Sequence, residues 1–343
     1  MNDAFSRKVL QINNLRTYFD TEDGTLKAVD GVSFSVMREQ SLGIIGESGC
    51  GKSVTAQSIL QIVPPPGYIQ SGEILYTGRG GDTTDIAQLD PMGKEIHAIR
   101  GKEIAIVFQE PMSSLSPVHS IGDQIMEGIL LHVTKNKSEA REIAIDMLDK
   151  VHIPNPSRVI DEYPHQLSGG MRQRGCIAMA LACNPFLLIA DEPTTAIDVT
   201  IQAQILELLD ELQEQLHMSI LYITHDLGVI AETCEDVAVM YLGSIVEFGP
   251  VRAVFDNPLH PYTQDLLDAI PDVGSRKSRL ATIKGTVPTP INLPEQCGYC
   301  TRCQVMTEEM KCQIAIPGLV EHEPKHYVRC FNCSPEQEDM GLH

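Results

Sequence analysis

Residues 46–53 read Gly-Glu-Ser-Gly-Cys-Gly-Lys-Ser, a G-x-x-x-x-G-K-S run whose residue types suit a phosphate cradle. Glycines at 46, 49 and 51 let the backbone curl until successive N–H groups face inward, and a helix start behind them adds its dipole. On that reading Gly46, Ser48, Gly49, Cys50 and Gly51 form the cradle, Lys52 reaches the β- and γ-phosphates of a nucleotide, and the Ser53 hydroxyl ligates Mg²⁺. A second reactive pair, Asp191-Glu192, closes the apolar run 186–190. Neighbouring carboxylates on a strand point different ways and can take separate tasks. Asp191 would hold Mg²⁺ directly or through water, and Glu192 would polarise an attacking water as general base. The third concentration of chemistry is sulfur: six of the ten cysteines fall at Cys297, Cys300, Cys303, Cys312, Cys330 and Cys333.

These groups need elements to hold them. Ser41-Leu42-Gly43-Ile44-Ile45 is a short apolar run that predicts a buried parallel strand ahead of the loop, and 54–62 has the composition of a helix behind it. Residues 104–108, 186–190 and 219–224 read as further strands, and open α/β sheets bind ligands at the carboxyl ends of their strands. Residues 1–108 predict a strand-rich lobe, with 78–85 as a Gly/Thr/Asp-rich surface loop. From about 110 to 180 the pattern turns helical, with Ser138 as the N-cap of a helix through Leu148. Ile201, Ile205, Leu208, Leu212 and Leu216 recur at helical spacing and predict a core-facing stripe.

Composition removes other classes. No apolar run approaches the ~18 residues that a membrane span needs, and the first eight residues lack a signal peptide's apolar core. We expect a cytoplasmic chain. Net charge is −20, from 26 basic against 46 acidic residues, which disfavours nucleic acid and direct adhesion to anionic lipid.

Leu167-Ser168-Gly169-Gly170-Met171, fifteen residues before the run that starts at Phe186, resembles the signature of ATP-binding cassette (ABC) ATPases. The fifth residue is usually Gln; here it is Met171, with Gln173 two positions on. Gln109 is similar to the family's Q-loop glutamine, Asp198 to its D-loop aspartate, His225 to its switch histidine, and Phe19 or Tyr18 to the aromatic that stacks on adenine. The resemblance implies an α/β fold: a P-loop ATPase domain with a parallel-sheet core, an antiparallel β subdomain and a helical signature subdomain. It also implies a head-to-tail dimer in which Ser168, Gly169 and Gly170 bind the γ-phosphate of ATP held mainly by the partner. Gln109 would join Ser53 and Asp191 around Mg²⁺ and act with Glu192 and His225 in hydrolysis, and Asp198 would lie near the nucleotide.

Residues 109–117, 194–205 and 258–263 further resemble the ATPase subunits of bacterial peptide and nickel ABC importers, nearest the oligopeptide/dipeptide branch. That implies a heterodimer with a second, homologous ATPase, two transmembrane permease subunits, an extracytoplasmic binding protein, and a peripheral place on the cytoplasmic face of the bacterial inner membrane. The expected activity is ATP-driven peptide import; nickel or glycoside import, or iron–sulfur sensing without transport, are the alternatives. The expected domains are 1–257, the ATPase, and 258–343, a small cysteine-rich extension.

For the cysteines, spacing and resemblance differ. Cys297-x-x-Cys300-x-x-Cys303 has the spacing of an iron–sulfur run, while structural zinc and reduced thiols are the other readings. The family pattern registers with Cys297, Tyr299, Arg302-Cys303, Cys312 and His326-Tyr-Val-Arg-Cys330. It implies a [4Fe–4S] cluster on Cys297, Cys303, Cys312 and Cys330, with Cys300 and Cys333 as substitutes for Cys312.

Overall fold

Three apolar runs form a parallel ladder in the first of two compact units. Ile104–Val107 pairs with Leu187–Asp191, which pairs with Ser219–Thr224 in register from Leu187 opposite Ser219 to Asp191 opposite Ile223. All of the middle strand is buried, so the apolar run at 187–190 is what a strand covered on both faces requires. The computed structural model describes residues 8–109, 114–194, 198–269, 283, 285–307 and 311–333. Residues 1–7, 110–113 and 195–197, on which parts of the expectations above fall, lie outside them.

The predicted helical stretch holds Ile121–His132, Lys137–Lys150, Pro156–Val159 and Gly169–Leu181. Ile121, Ile125 and Ile129 recur every fourth residue and are buried, against the helix Lys137–Lys150. The N-cap of that second helix is Asn136, whose side chain accepts from the Ser138 amide, so the cap lies two residues before the expected one. The stripe on Val199–Leu216 is core as expected at Ile205, Leu208, Leu212 and Leu216, while Ile201 is half-buried. Residues 78–85 form an exposed turn ending in the short strand Thr83–Asp85.

In the second unit Ser41–Ile45 runs parallel to Asp236–Tyr241, and the chain turns through Leu242 and Gly243, both at positive φ, into Ser244–Pro250. The C-terminal extension adds the hairpin Val320–Glu323 and His326–Val328 to that strand, Glu247 opposite Val328. The long strands Lys8–Thr21 and Gly24–Met37 are joined by two residues and are therefore antiparallel, with Gly67–Thr77 beside the first. The helix behind the phosphate loop is Lys52–Ile59, starting two residues earlier and ending three earlier than its composition suggested. Among the described residues no helix is long and apolar enough to cross a membrane.

Candidate functional site

The loop at 46–53 has the backbone that its glycines predict. Gly51 sits at φ +105°, and a Cβ there would lie 2.1 Å from the Ala28 carbonyl oxygen. A Cβ on Gly46 would lie 2.2 Å from the Met240 carbonyl oxygen. Lys52 is buried, and its ammonium donates to the Gly46 carbonyl at 2.8 Å and the Glu47 carbonyl at 3.1 Å. The Cys50 thiol is buried 3.7 Å from that ammonium, and burial raises its pKa. Ser48 and Gly49 are exposed, and Ser53 stands half-buried in the first turn of the helix. Phe19 is half-buried, packed where a Cβ on Gly67 would come within 2.4 Å of its ring. Tyr18, the other aromatic candidate, donates its hydroxyl to Asp30 at 2.8 Å, and partial burial with that carboxylate raises its pKa to about 12.

In the first unit Asp191 ends its strand buried, and Glu192 turns out of it at φ +49°. A non-glycine residue in that region stores about 1–3 kcal/mol, which its surroundings must hold. Two bonds do so here. The Glu192 amide donates to the Ile223 carbonyl at 2.7 Å, and the Gln109 side-chain amide donates to the Glu192 carboxylate at 2.8 Å. Gln109 and Glu192, 83 positions apart in sequence, are thus brought into direct contact.

Ser168 is the N-cap of Gly169–Leu181, its hydroxyl accepting from the Met171 amide at 3.4 Å. Gly169 is exposed with open space where a Cβ would be, and Gly170 lies near Ile201. Gln173 is buried and donates to the Pro193 carbonyl, tying the signature helix to the turn that follows Glu192. Asp198 is exposed at the start of Val199–Leu216, and His225 is exposed ahead of Leu227–Thr233, whose N-cap is Asp226.

Cys297, Cys300, Cys303, Cys312 and Cys330 line one cavity, whose wall also includes Val305 and Phe331. Cys333 is outside it, its thiol donating to the Leu259 carbonyl at 3.6 Å. Among the described residues, which include all ten cysteines, there is no disulfide, and no group of three or more His, Cys, Asp or Glu side chains is arranged as a metal site. The donor set still suits a thiophilic metal in kind. Cys333 beside it lowers the Cys330 thiol, toward the thiolate that binds metal, while burial raises Cys297 to about 12.

Comparison with known proteins places the chain. Residues 29–195 match the family described as ABC transporter, and 246–312 match the oligopeptide/dipeptide transporter C-terminal region. A putative peptide import ATP-binding protein of Brucella melitensis is 48% identical over 330 residues, covering 94% of this chain and 96% of that one. The chain belongs to the ABC transporter family. Within it, the oligopeptide transport ATP-binding protein AppD of Bacillus subtilis is 46% identical, covering 94% of this chain and 96% of its own. The dipeptide transport ATP-binding protein DppD of the same organism is 44% identical, covering 94% of each. Among solved structures, a dimeric post-hydrolysis ATP-binding cassette bound to ADP and Pi superposes with a TM-score of 0.62 at 26% identity, covering 71% of this chain and 99% of that one.

In this ABC chain, three residues that organise the second unit had no such role assigned from the sequence. Glu247 is fully buried and accepts from the Leu259 and His260 amides and from His326 Nε2, at 2.9, 2.8 and 2.7 Å. One carboxylate thereby fixes both the 258–263 motif and the start of the His326-x-Val-x-Cys330 motif. Tyr262 and Arg302 both reach back to Glu47 of the phosphate loop. Tyr262 and Arg302 stand inside motifs that could have flagged them; Glu247, alone in an apolar strand, carries no sequence signal.

Proposed function

We propose that this chain is the ATP-hydrolysing subunit of an importer of di- and oligopeptides, with nickel or glycosides as alternative cargo for the same machinery. The observation that carries the reading is similarity along 94% of the chain to proteins named for peptide import, with both the cassette and the C-terminal region matched. The chain works at the cytoplasmic face of the membrane beside a second, homologous ATPase, docked on two permease subunits that receive substrate from an extracytoplasmic binding protein. Its net charge of −20 favours docking on protein over anionic lipid. Residues 1–257 form the ATPase domain, with the helical part at about 110–180, and 258–343 the extension.

The loop amides from Gly46 to Gly51 and the Lys52 ammonium bind the triphosphate, and Phe19 stacks on adenine. Lys52, now held by the loop's own carbonyls, exchanges them for phosphate oxygens. Ser53, Asp191 and Gln109 would hold Mg²⁺, which would supply charge neutralisation of the phosphates. Glu192 takes the proton of the attacking water, its carboxylate oriented by Gln109, while His225 acts with them in hydrolysis and Asp198 lies near the nucleotide. Ser168, Gly169 and Gly170 present the start of a 13-residue helix to the partner's nucleotide. Cys297, Cys303, Cys312 and Cys330 would hold a [4Fe–4S] cluster, with zinc as the alternative, and it would supply a cross-link between three segments of the extension. Cys300, which lines the same cavity, is the substitute ligand.

The test is uptake. Glu192→Gln in cells lacking the native copy should abolish accumulation of a labelled peptide while the complex still assembles. Normal uptake by that variant would count against both the general-base role and the transport reading.

A further inference from the structure

Glu47 is the first variable residue of the phosphate loop, and a carboxylate there works against a loop that must hold a polyanion. The structure neutralises it from the cysteine-rich extension. Arg302 donates Nη1 to one Glu47 carboxylate oxygen at 2.7 Å and Nη2 to the other at 3.2 Å. The Arg302 side chain is only 3% exposed, with its guanidinium 5.7 Å from the ring centres of both Tyr241 and Tyr299. Its Nη1 also meets the Tyr241 hydroxyl at 3.3 Å. A second contact holds the backbone: the Glu47 amide donates to the hydroxyl of buried Tyr262 at 2.8 Å. The carbonyl of the same residue accepts from Lys52, so whatever places Glu47 also places the lysine. Arg302 lies in the turn Cys297 to Cys303 and its amide donates to the Tyr299 carbonyl at 3.0 Å, so its position is set by the segment that carries three of the cavity's cysteines.

We propose that Arg302 is a positioning residue for nucleotide binding: it neutralises Glu47 and fixes the opening turn of the phosphate loop, coupling the loop's affinity for polyphosphate to the conformation of the cysteine-bearing turn. This rests on the reading of the loop as the ATP site. The bidentate geometry, burial and two neighbouring aromatic rings are those in which arginine is not replaceable by lysine without loss.

The experiment is equilibrium binding of a fluorescent ATP analogue to the full chain and to Arg302→Ala, Arg302→Lys, Glu47→Gln and the two double variants. Coupling of this kind typically spans about 5- to 150-fold. We expect Arg302→Ala to raise Kd about tenfold, Arg302→Lys to recover part of it, and the loss to shrink from ATP to AMP as phosphate charge falls. With Glu47→Gln in place the charge to be neutralised is gone, so Arg302→Ala should change Kd by less than about twofold. Cys303→Ser should weaken binding when Glu47 is present and leave it unchanged when combined with Glu47→Gln. An equal loss in both backgrounds, or no loss in a folded Arg302→Ala, overturns the proposal. If the alanine variant does not fold, the same comparison with Arg302→Lys decides it. Failure of the unaltered chain to bind the nucleotide would instead overturn the ATP-site reading.

Discussion

Truncating Glu247 should loosen the extension by an amount that can be worked from its contacts. Its carboxylate is the shared acceptor for three donors, of which the His260 amide and His326 Nε2 belong to residues 1% and 0% exposed and Leu259 is half-buried. Glu247→Ala removes the acceptor and leaves the donors in place. Each buried donor without a partner costs about 1–3 kcal/mol, and the Leu259 amide can turn to water, so the two buried donors set the loss at about 4 kcal/mol. At about 1.4 kcal/mol per factor of ten, hydrogen exchange through local opening of residues 258–263 and 326–330 should speed by roughly a thousandfold. Strand Leu187–Asp191, in the other unit, should keep its protection and serves as the internal reference. Glu247→Gln should fall between, since one oxygen still accepts while the amide group faces a donor. A change of less than about tenfold in a folded Glu247→Ala would refute the reasoning that this carboxylate organises the extension.

Gly51→Ala places a Cβ 2.1 Å from the Ala28 carbonyl at φ +105°, and should lower stability by about 2–4 kcal/mol in denaturant titration with parallel loss of nucleotide binding; wild-type values for both would refute it. Burial holds the His260 imidazole down at about 4, so between that value and about 6.5 the unfolded chain takes up a proton that the folded chain refuses. Its contribution, about 3 kcal/mol, is therefore complete above pH 6.5 and is lost as pH falls toward 4. His260→Asn, which can keep the N-cap on the Tyr262 amide, should flatten that slope in urea midpoints; a wild-type-minus-variant difference constant with pH would sink this account. Anaerobic purification should yield about four iron and four sulfide per chain, lost in Cys303→Ser. One zinc without sulfide would replace the cluster by a zinc staple.

Much of this molecule was legible along the chain because its chemistry is local. The phosphate loop needs glycine at fixed offsets between a strand and a helix, and the strand Ser41–Ile45 and helix Lys52–Ile59 sit on either side as read. Apolar runs marked the parallel strands, since a strand buried on both faces favours apolar residues along most of its length. The sequence by itself thus determined the family, the strand-loop-helix unit and the residue types of the site. What it left open were contacts between segments far apart: Gln109 with Glu192 across 83 positions, Glu247 with His326 across 79, Arg302 with Glu47 across 255. No periodicity encodes such pairs, because each depends on where whole elements stop in space. The cysteines illustrate the division. Spacing put Cys300 with its neighbours and resemblance left it out; in the folded chain Cys300 lines the cavity, and Cys333 stands beside Cys330 within reach of the Leu259 carbonyl.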